Sequence, residues 1–326
     1  MREAILAVAG AKGPAVAFFD VGSGKHLGTV EVPAQPHDLC FDPVHRLVWT
    51  ASAYRHGAYH SHGERATELT AIDPDSREVL EVVDLSPDHA PHGLTIDPTR
   101  GLLYVTVEAG PESEGGLVVV DTATRQQVRH LATGAPGPHW VAMSPDGRRG
   151  FVTNKEAPFV SFVDLDSGEV EKISLPGSEG LEVSRDGKRL YVAAPYLENG
   201  TEPVRAAPGI RVFDAVTGTL ETLLPTEHPV LPIHCPASGE VLAAELGERL
   251  LAFSATSHEL LGSMELRTEF PLAILADPDG RIAFVSGAAS TEVEVIDLET
   301  RTLVTTLDTE AAGAAGGHGL AYVPIS

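Results

Sequence analysis

One pattern recurs from end to end of this chain: an apolar strand closing on Asp, then a polar turn with Ser or Thr, then another strand. The copies are Phe18-Phe19-Asp20, Ala71-Ile72-Asp73, Val119-Val120-Asp121, Phe162-Val163-Asp164, Val212-Phe213-Asp214, Ala252-Phe253-Ser254 and Val295-Ile296-Asp297. The polar turn follows at once, as in Ser23-Gly24, Ser76-Arg77, Thr124-Arg125, Ser167-Gly168 and Thr217-Gly218. A carboxylate at the strand end accepts backbone N–H groups within a hairpin turn, so these Asp residues are expected to be structural rather than catalytic.

A second pattern precedes each Asp turn. Leu94-Thr95-Ile96-Asp97-Pro98 leads to Leu102-Leu103-Tyr104-Val105, and Val141-Ala142-Met143-Ser144-Pro145-Asp146-Gly147 leads to Gly150-Phe151-Val152-Thr153. Further copies begin at Leu39, Leu181, Leu231 and Ala273. Alternating apolar residues around Pro-Asp-Gly turns are hairpin chemistry. Two hairpins make a four-stranded antiparallel sheet, and a repeat of about 40 to 55 residues is that of a propeller blade. The pattern predicts an all-β fold: a seven-bladed β-propeller formed as a single domain over residues 1–326. The last blade is expected to take its inner strand from Gly319-Leu320-Ala321-Tyr322-Val323 and its other three from residues 4–8, 14–20 and 26–32. Joining the chain ends closes the ring and removes exposed sheet edges.

Composition narrows the partners. Lys and Arg number 23 against 46 Asp and Glu, for a net charge of −23. Such a surface repels phosphate backbones and anionic lipid, so neither nucleic acid nor a membrane is expected as partner. The two cysteines, Cys40 and Cys235, lie in apolar strand contexts and read as small buried hydrophobes, which excludes a disulfide framework. The apolar run at Ala4–Ala9 is too short for a secretory core, and no run is long enough for a membrane span, so a cytoplasmic location is expected.

Phe151-Val152-Thr153-Asn154, after Ser144-Pro145-Asp146-Gly147, resembles the repeat of YVTN-type (YncE-like) seven-bladed propellers. Leu103-Tyr104-Val105-Thr106 and Leu190-Tyr191-Val192-Ala193 are looser copies, and the resemblance spans essentially the whole chain. It implies the fold. Function stays open, because such propellers serve as lactonases, redox subunits, lyases and binding scaffolds. Long insertions at 51–68 and 195–208 depart from the pattern.

Aligned on the turn that follows each inner strand, the position five residues earlier reads His37, His92, His139, Glu179, Val230, Leu272 and His318. In a propeller this is where the chain enters a blade, at the mouth of the central channel. Four histidines on successive blades would converge on the axis, within reach of one metal ion. An all-nitrogen set favours Cu or Fe over Zn or Ni as the cofactor, and disfavours Mg or Ca. Glu179 is a fifth ligand or orients a histidine. Val230 and Leu272 make the opposite side apolar, leaving an open coordination face toward a substrate pocket. A four-histidine centre on a seven-bladed propeller is similar, in site geometry only, to that of the carotenoid-cleaving oxygenases.

The loops on the same face supply the remaining candidates. Glu108, Lys155 and Tyr196 are expected as general acid, base or substrate contacts. Trp140, Tyr54, His60 and Asn154 are expected to line the substrate pocket, with the histidine-rich 51–68 loop as a possible lid. No Gly-rich phosphate loop, GxSxG elbow or HExxH motif is present. Three functions follow: a metal-dependent redox enzyme acting on a small organic molecule; a lactonase-type hydrolase or lyase, since Pro-His followed by Ser-Pro-Asp-Gly resembles strings of lactonase propellers; and a non-catalytic scaffold whose acidic face holds a protein partner.

Overall fold

The computed structural model describes residues 3–58, 61–195 and 208–325. Among them are seven four-stranded antiparallel sheets and one two-stranded hairpin, and no helix. Blade 1 is built, from the axis outward, of Gln35–Asp42, Leu47–Tyr54, Glu68–Asp73 and Glu78–Asp84. Blade 2 spans 94–132, blade 3 138–174, blade 4 181–225, blade 5 230–265 and blade 6 271–308. Blade 7 joins the chain ends: Leu320–Pro324 is its inner strand, and it pairs with Ala4–Ala9, which pairs in turn with Ala15–Asp20 and then His26–Glu31. The seven-bladed ring and its mode of closure are those expected from the repeats.

The repeat is held by local chemistry. Asp121 accepts the backbone N–H of Thr124 at 2.7 Å and its hydroxyl at 2.9 Å, and Asp164 and Asp297 do the same with Ser167 and Thr300. In the blade that lacks Asp, Ser254 Oγ accepts from Thr256 and Ser257 instead. The middle strands are apolar on both faces because each blade is sandwiched between two others. Trp49, Leu69 and Ala71 of blade 1 pack on Leu103, Val105 and Val118 of blade 2. Each such buried aliphatic side chain contributes on the order of 2 kcal/mol, and the pattern repeats around the ring.

At the axis the inner strands come closer than ordinary side chains allow. A Cβ on Gly93 would lie 2.7 Å from the carbonyl oxygen of His139, one on Gly180 1.8 Å from that of Leu231, and one on Gly319 2.6 Å from Cα of Asp38. In each case the obstacle is the backbone of the next blade. Glycine directly after His92, Glu179 and His318 therefore brings those neighbouring inner strands into contact. That contact sets the spacing of everything carried one residue earlier.

Both cysteines are free. The insertion after Leu47–Tyr54 forms a small hairpin in which Gly57–Ala58 pairs with Ser61–His62. Most of the second insertion lies outside the described residues.

Candidate metal centre

Three of the four candidate histidines follow a proline that helps fix their place. Pro36, Pro91 and Pro138 precede His37, His92 and His139. Proline cannot donate to a ladder, so it belongs at the start of a strand. The pairing slips at this point between Pro36 and Asp38 and between Pro138 and Val141. A bulge of this kind re-aims one side chain without ending the sheet. With the glycine contacts behind them, the rings meet in an arc. Ring centroids lie 3.9 Å apart for His318 and His37, 4.6 Å for His37 and His92, and 4.5 Å for His92 and His139.

His37, His92 and His139 each offer a ligand atom within 4.8 Å of the other two, and all three are buried. His318 lies tilted at 35° against His37 but does not belong to that trio. The four-histidine ring expected from the sequence thus resolves into three convergent imidazoles and a neighbour.

Two carboxylates stand behind the arc. Glu108 Oε1 lies 3.0 Å from Nε2 of His92 and accepts the Tyr54 hydroxyl at 2.5 Å, while its Oε2 is 2.8 Å from Nε of Arg65. Glu179 Oε1 lies 3.1 Å from Nδ1 of His139 and 3.3 Å from Nζ of Lys155. A carboxylate on one ring nitrogen is the usual way in which a protein fixes the orientation of a metal-ligating imidazole whose other nitrogen binds the ion.

The protonation states suit this use. Burial pushes His139 down to about 3, against the pull of Glu179, and pushes His318 down to about 3 with the help of the other imidazoles. Burial and its imidazole neighbours hold His37 well below its usual value, and burial lowers His92 despite Glu108. The rings are therefore neutral at pH 7, the form that binds metals. Burial opposes the charge of Glu108 and Glu179. The contacts with His92 on the one hand, and with His139 and Lys155 on the other, nevertheless hold both carboxyls at about 2. Glu179 Oε2 and Nδ1 of His318 are buried without a hydrogen-bond partner among the described residues. Buried polar atoms left unpaired are rare and point to a missing group.

The arc heads a cavity of about 570 Å³. His37, His139, His318, Lys155, Glu179 and Trp140 line one side. Leu231, Phe270, Leu272, Ile274 and Leu275 line the other. The Trp140 ring lies 5.4 Å from His139 and 5.9 Å from His318, so it reaches into the channel.

Several expected residues take other places. Val230 is 1% exposed and packs in the core with Tyr191 and Val212 of blade 4, not in the cavity. Its partner is Glu245, as Pro138 pairs with Asn154, so Val230 is one residue before the histidine register. Leu231 holds that register and faces the cavity. Asn154 also lies outside the cavity wall: its amide donates to Phe159 O at 2.9 Å and to Ser161 Oγ at 3.0 Å within its own blade. Tyr54 and Glu108 sit behind His92, off the cavity lining. Leu272, Trp140, Lys155 and Glu179 do line it. His60 and Tyr196 lie outside the described residues. Sequence reasoning did not find Arg65, whose partner Glu108 is far along the chain, nor Asp38, whose half-buried carboxylate accepts the N–H of Leu39 and of Leu94 at 2.9 Å each. Burial pushes the Asp38 carboxyl up to about 7.

No family model and no curated protein matches this chain. Solved structures do. Hydrazine synthase from Kuenenia stuttgartiensis matches with a TM-score of 0.71 and 19% identity, over 87% of this chain and 89% of that one. Dihydro-heme d1 dehydrogenase NirN, in complex with DHE, matches with a TM-score of 0.65 and 15% identity, over 97% and 74%. A functionally unknown protein from Desulfotomaculum acetoxidans DSM 771 matches with a TM-score of 0.77 and 14% identity, over 99% and 100%. At these identities the likeness is one of fold.

Proposed function

We propose that this propeller is a metal-dependent enzyme acting on a small organic molecule, with His37, His92 and His139 holding a transition metal ion at the head of the cavity. The observation that carries this reading is the convergence of three buried imidazoles, each with a ligand atom within 4.8 Å of the others'. An all-imidazole set suits Cu or Fe, with redox chemistry favoured over hydrolysis. When bound, the ion would supply Lewis acidity or a redox couple on the side facing the cavity. Glu108 and Glu179 orient His92 and His139, and Lys155 fixes Glu179 in turn. The apolar wall excludes water and holds the substrate body.

Elemental analysis tests the proposal. Protein produced with Cu or Fe supplementation should retain about one ion per chain, as expected for a single three-imidazole site. His92→Ala and His139→Ala should lose it while keeping the β-sheet circular dichroism. His318→Ala, outside the trio, should keep most of it. Wild-type protein that stays metal-free after supplementation would sink the reading.

A second reading, hydrolysis or elimination, is favoured by the placement of Glu179 on the cavity wall, where its Oε2 has no hydrogen-bond partner among the described residues and could take a proton from substrate or water. Oxygen dependence of turnover separates the two readings.

A further inference from the structure

The connection that enters the inner strand carries a left-handed residue in four blades. These residues are Ala90 at φ 50°, Gly177 at 68°, Phe270 at 52° and Gly316 at 73°. They stand two residues before His92, Glu179, Leu272 and His318, at one position of the repeat. Glycine takes this conformation freely, whereas a side chain there costs about 1 to 2 kcal/mol. Ala90 recovers part of that cost by packing its methyl against Ala53 and Tyr54. Phe270 does not recover it in the same way, since it is 47% exposed. A bulky residue with positive φ is a backbone outlier, and such outliers collect at ligand clamps. Phe270 stands on the cavity lining beside Leu272.

The opposite side of the cavity defines the other half of a ligand. Among the described residues, Lys155 is the only Lys or Arg that lines the cavity, and it stands beside His139 and Glu179. The other lining carboxylate among the described residues, Asp38, accepts two backbone N–H groups. Glu179 offsets the charge of Lys155, so a divalent ion on the histidine trio would leave its own positive charge unmatched at the head of the cavity. A bound anion would balance that charge.

We propose that Phe270 is a specificity-determining residue that closes over the flat apolar body of a small anionic molecule, whose acidic head faces Lys155 and the histidine trio. The inference rests on the metal-centre reading for the head group, and on the cavity alone for the body. Phe270 and Trp140 supply aromatic surface, and Leu231 and Leu272 the aliphatic floor. The volume of about 570 Å³ lies within the range for small-molecule sites.

Calorimetry with 2-naphthoate and 2-naphthamide, on Cu(II)-loaded and on chelator-treated protein, tests this. Metal content and thermal midpoint are measured on the same samples. Wild type should bind 2-naphthoate and prefer it to the neutral amide. Phe270→Gly should weaken 2-naphthoate binding about tenfold, the scale of one lost aromatic contact, with metal content unchanged. Its thermal midpoint should stay level or rise, because glycine suits the backbone at this position. Equal affinity in Phe270→Gly and wild type, equal affinity for acid and amide, or no binding by wild type would overturn the inference while leaving the metal reading intact. A fall of several degrees in the variant's midpoint would also overturn it, by making Phe270 a structural residue. Protein that holds no metal yet binds 2-naphthoate through Phe270 would sink the metal reading and uphold the clamp.

Discussion

Blades 7, 1, 2, 3 and 4 present His318, His37, His92, His139 and Glu179 to the axis, while blades 5 and 6 present Leu231 and Leu272 at the same register. Blade 3 of the polar arc shares its inner-strand backbone with blades 5 and 6 of the apolar arc: Pro138 pairs with Asn154, Val230 with Glu245 and Pro271 with Gly287, each followed by a one-residue slip. The difference lies in one side chain per blade. Repetition supplies the framework, and departures from repetition at a single position supply the chemistry. The polar arc also needs support that the apolar arc does not. Tyr54, Arg65 and Glu108 stand behind His92, and Lys155 and Glu179 beside His139, whereas Leu231 and Leu272 need only their neighbours.

The comparison can be broken at its most loaded point. Glu179→Leu would extend the apolar arc by one blade and leave Lys155 buried without its carboxylate. That change should cost about 3 kcal/mol in chemical denaturation, the scale for breaking a buried pair from one side. Lys155→Met in the same chain should recover much of the loss, a coupling that a double-mutant cycle would measure. Additive losses would show that the two residues are energetically independent.

A smaller effect should separate Val230 from Leu231. Val230→Ala removes a methyl pair from a closed core and should lower stability by about 1 to 2 kcal/mol while leaving cavity ligands untouched. Leu231→Ala widens the cavity and should change the affinity or size preference for ligands. If Val230→Ala altered ligand binding more than Leu231→Ala, the register drawn for blade 5 would be wrong.

The smallest effect concerns the repeat itself, far from either arc. The backbone N–H of Thr124, Ser167 and Thr300, followed by their hydroxyls, holds the Asp121, Asp164 and Asp297 carboxyls below the usual carboxylate range. A folded-state pKa below the unfolded value of about 3.9 means stability that is present above that pH. It is lost as pH falls through the folded value. The triple Asp→Asn variant should therefore show a shallower loss of stability below about pH 4, with metal content unaltered. An unchanged acid slope would mean that these turns do not contribute to acid unfolding.

The ring and its closure were legible in the sequence because each blade repeats the same turn chemistry. Six blades also keep a constant distance from that turn back to the axial position, which made His37, His92, His139, Glu179, Leu272 and His318 readable as one register. Blade 5 broke the count. Its turn runs from Pro236 to Glu240, one residue shorter than Ser144 to Arg149, and Cys235-Pro236 imitates the X-Pro step of the other blades. A slip of one residue turns a side chain to the opposite face, so Val230 stood in for Leu231. Arg65 was not legible, because its partner belongs to another blade. Nor was Phe270, since a positive φ at a non-glycine residue leaves no mark in the sequence. The glycines after His92, Glu179 and His318 were visible, but their role depends on how closely neighbouring strands approach.

His318 and His37 come from opposite ends of the chain and from either side of the seam where the ring is sewn shut. The amide of His318 donates to Ala9 O at 2.9 Å, and that of Ala9 to Gly319 O at 3.0 Å. A ligand gripped by both rings would therefore act as a clasp, resisting the opening of blade 7 as much as it occupies the channel. Binding at the axis and the durability of the whole circle are in this way two readings of one equilibrium.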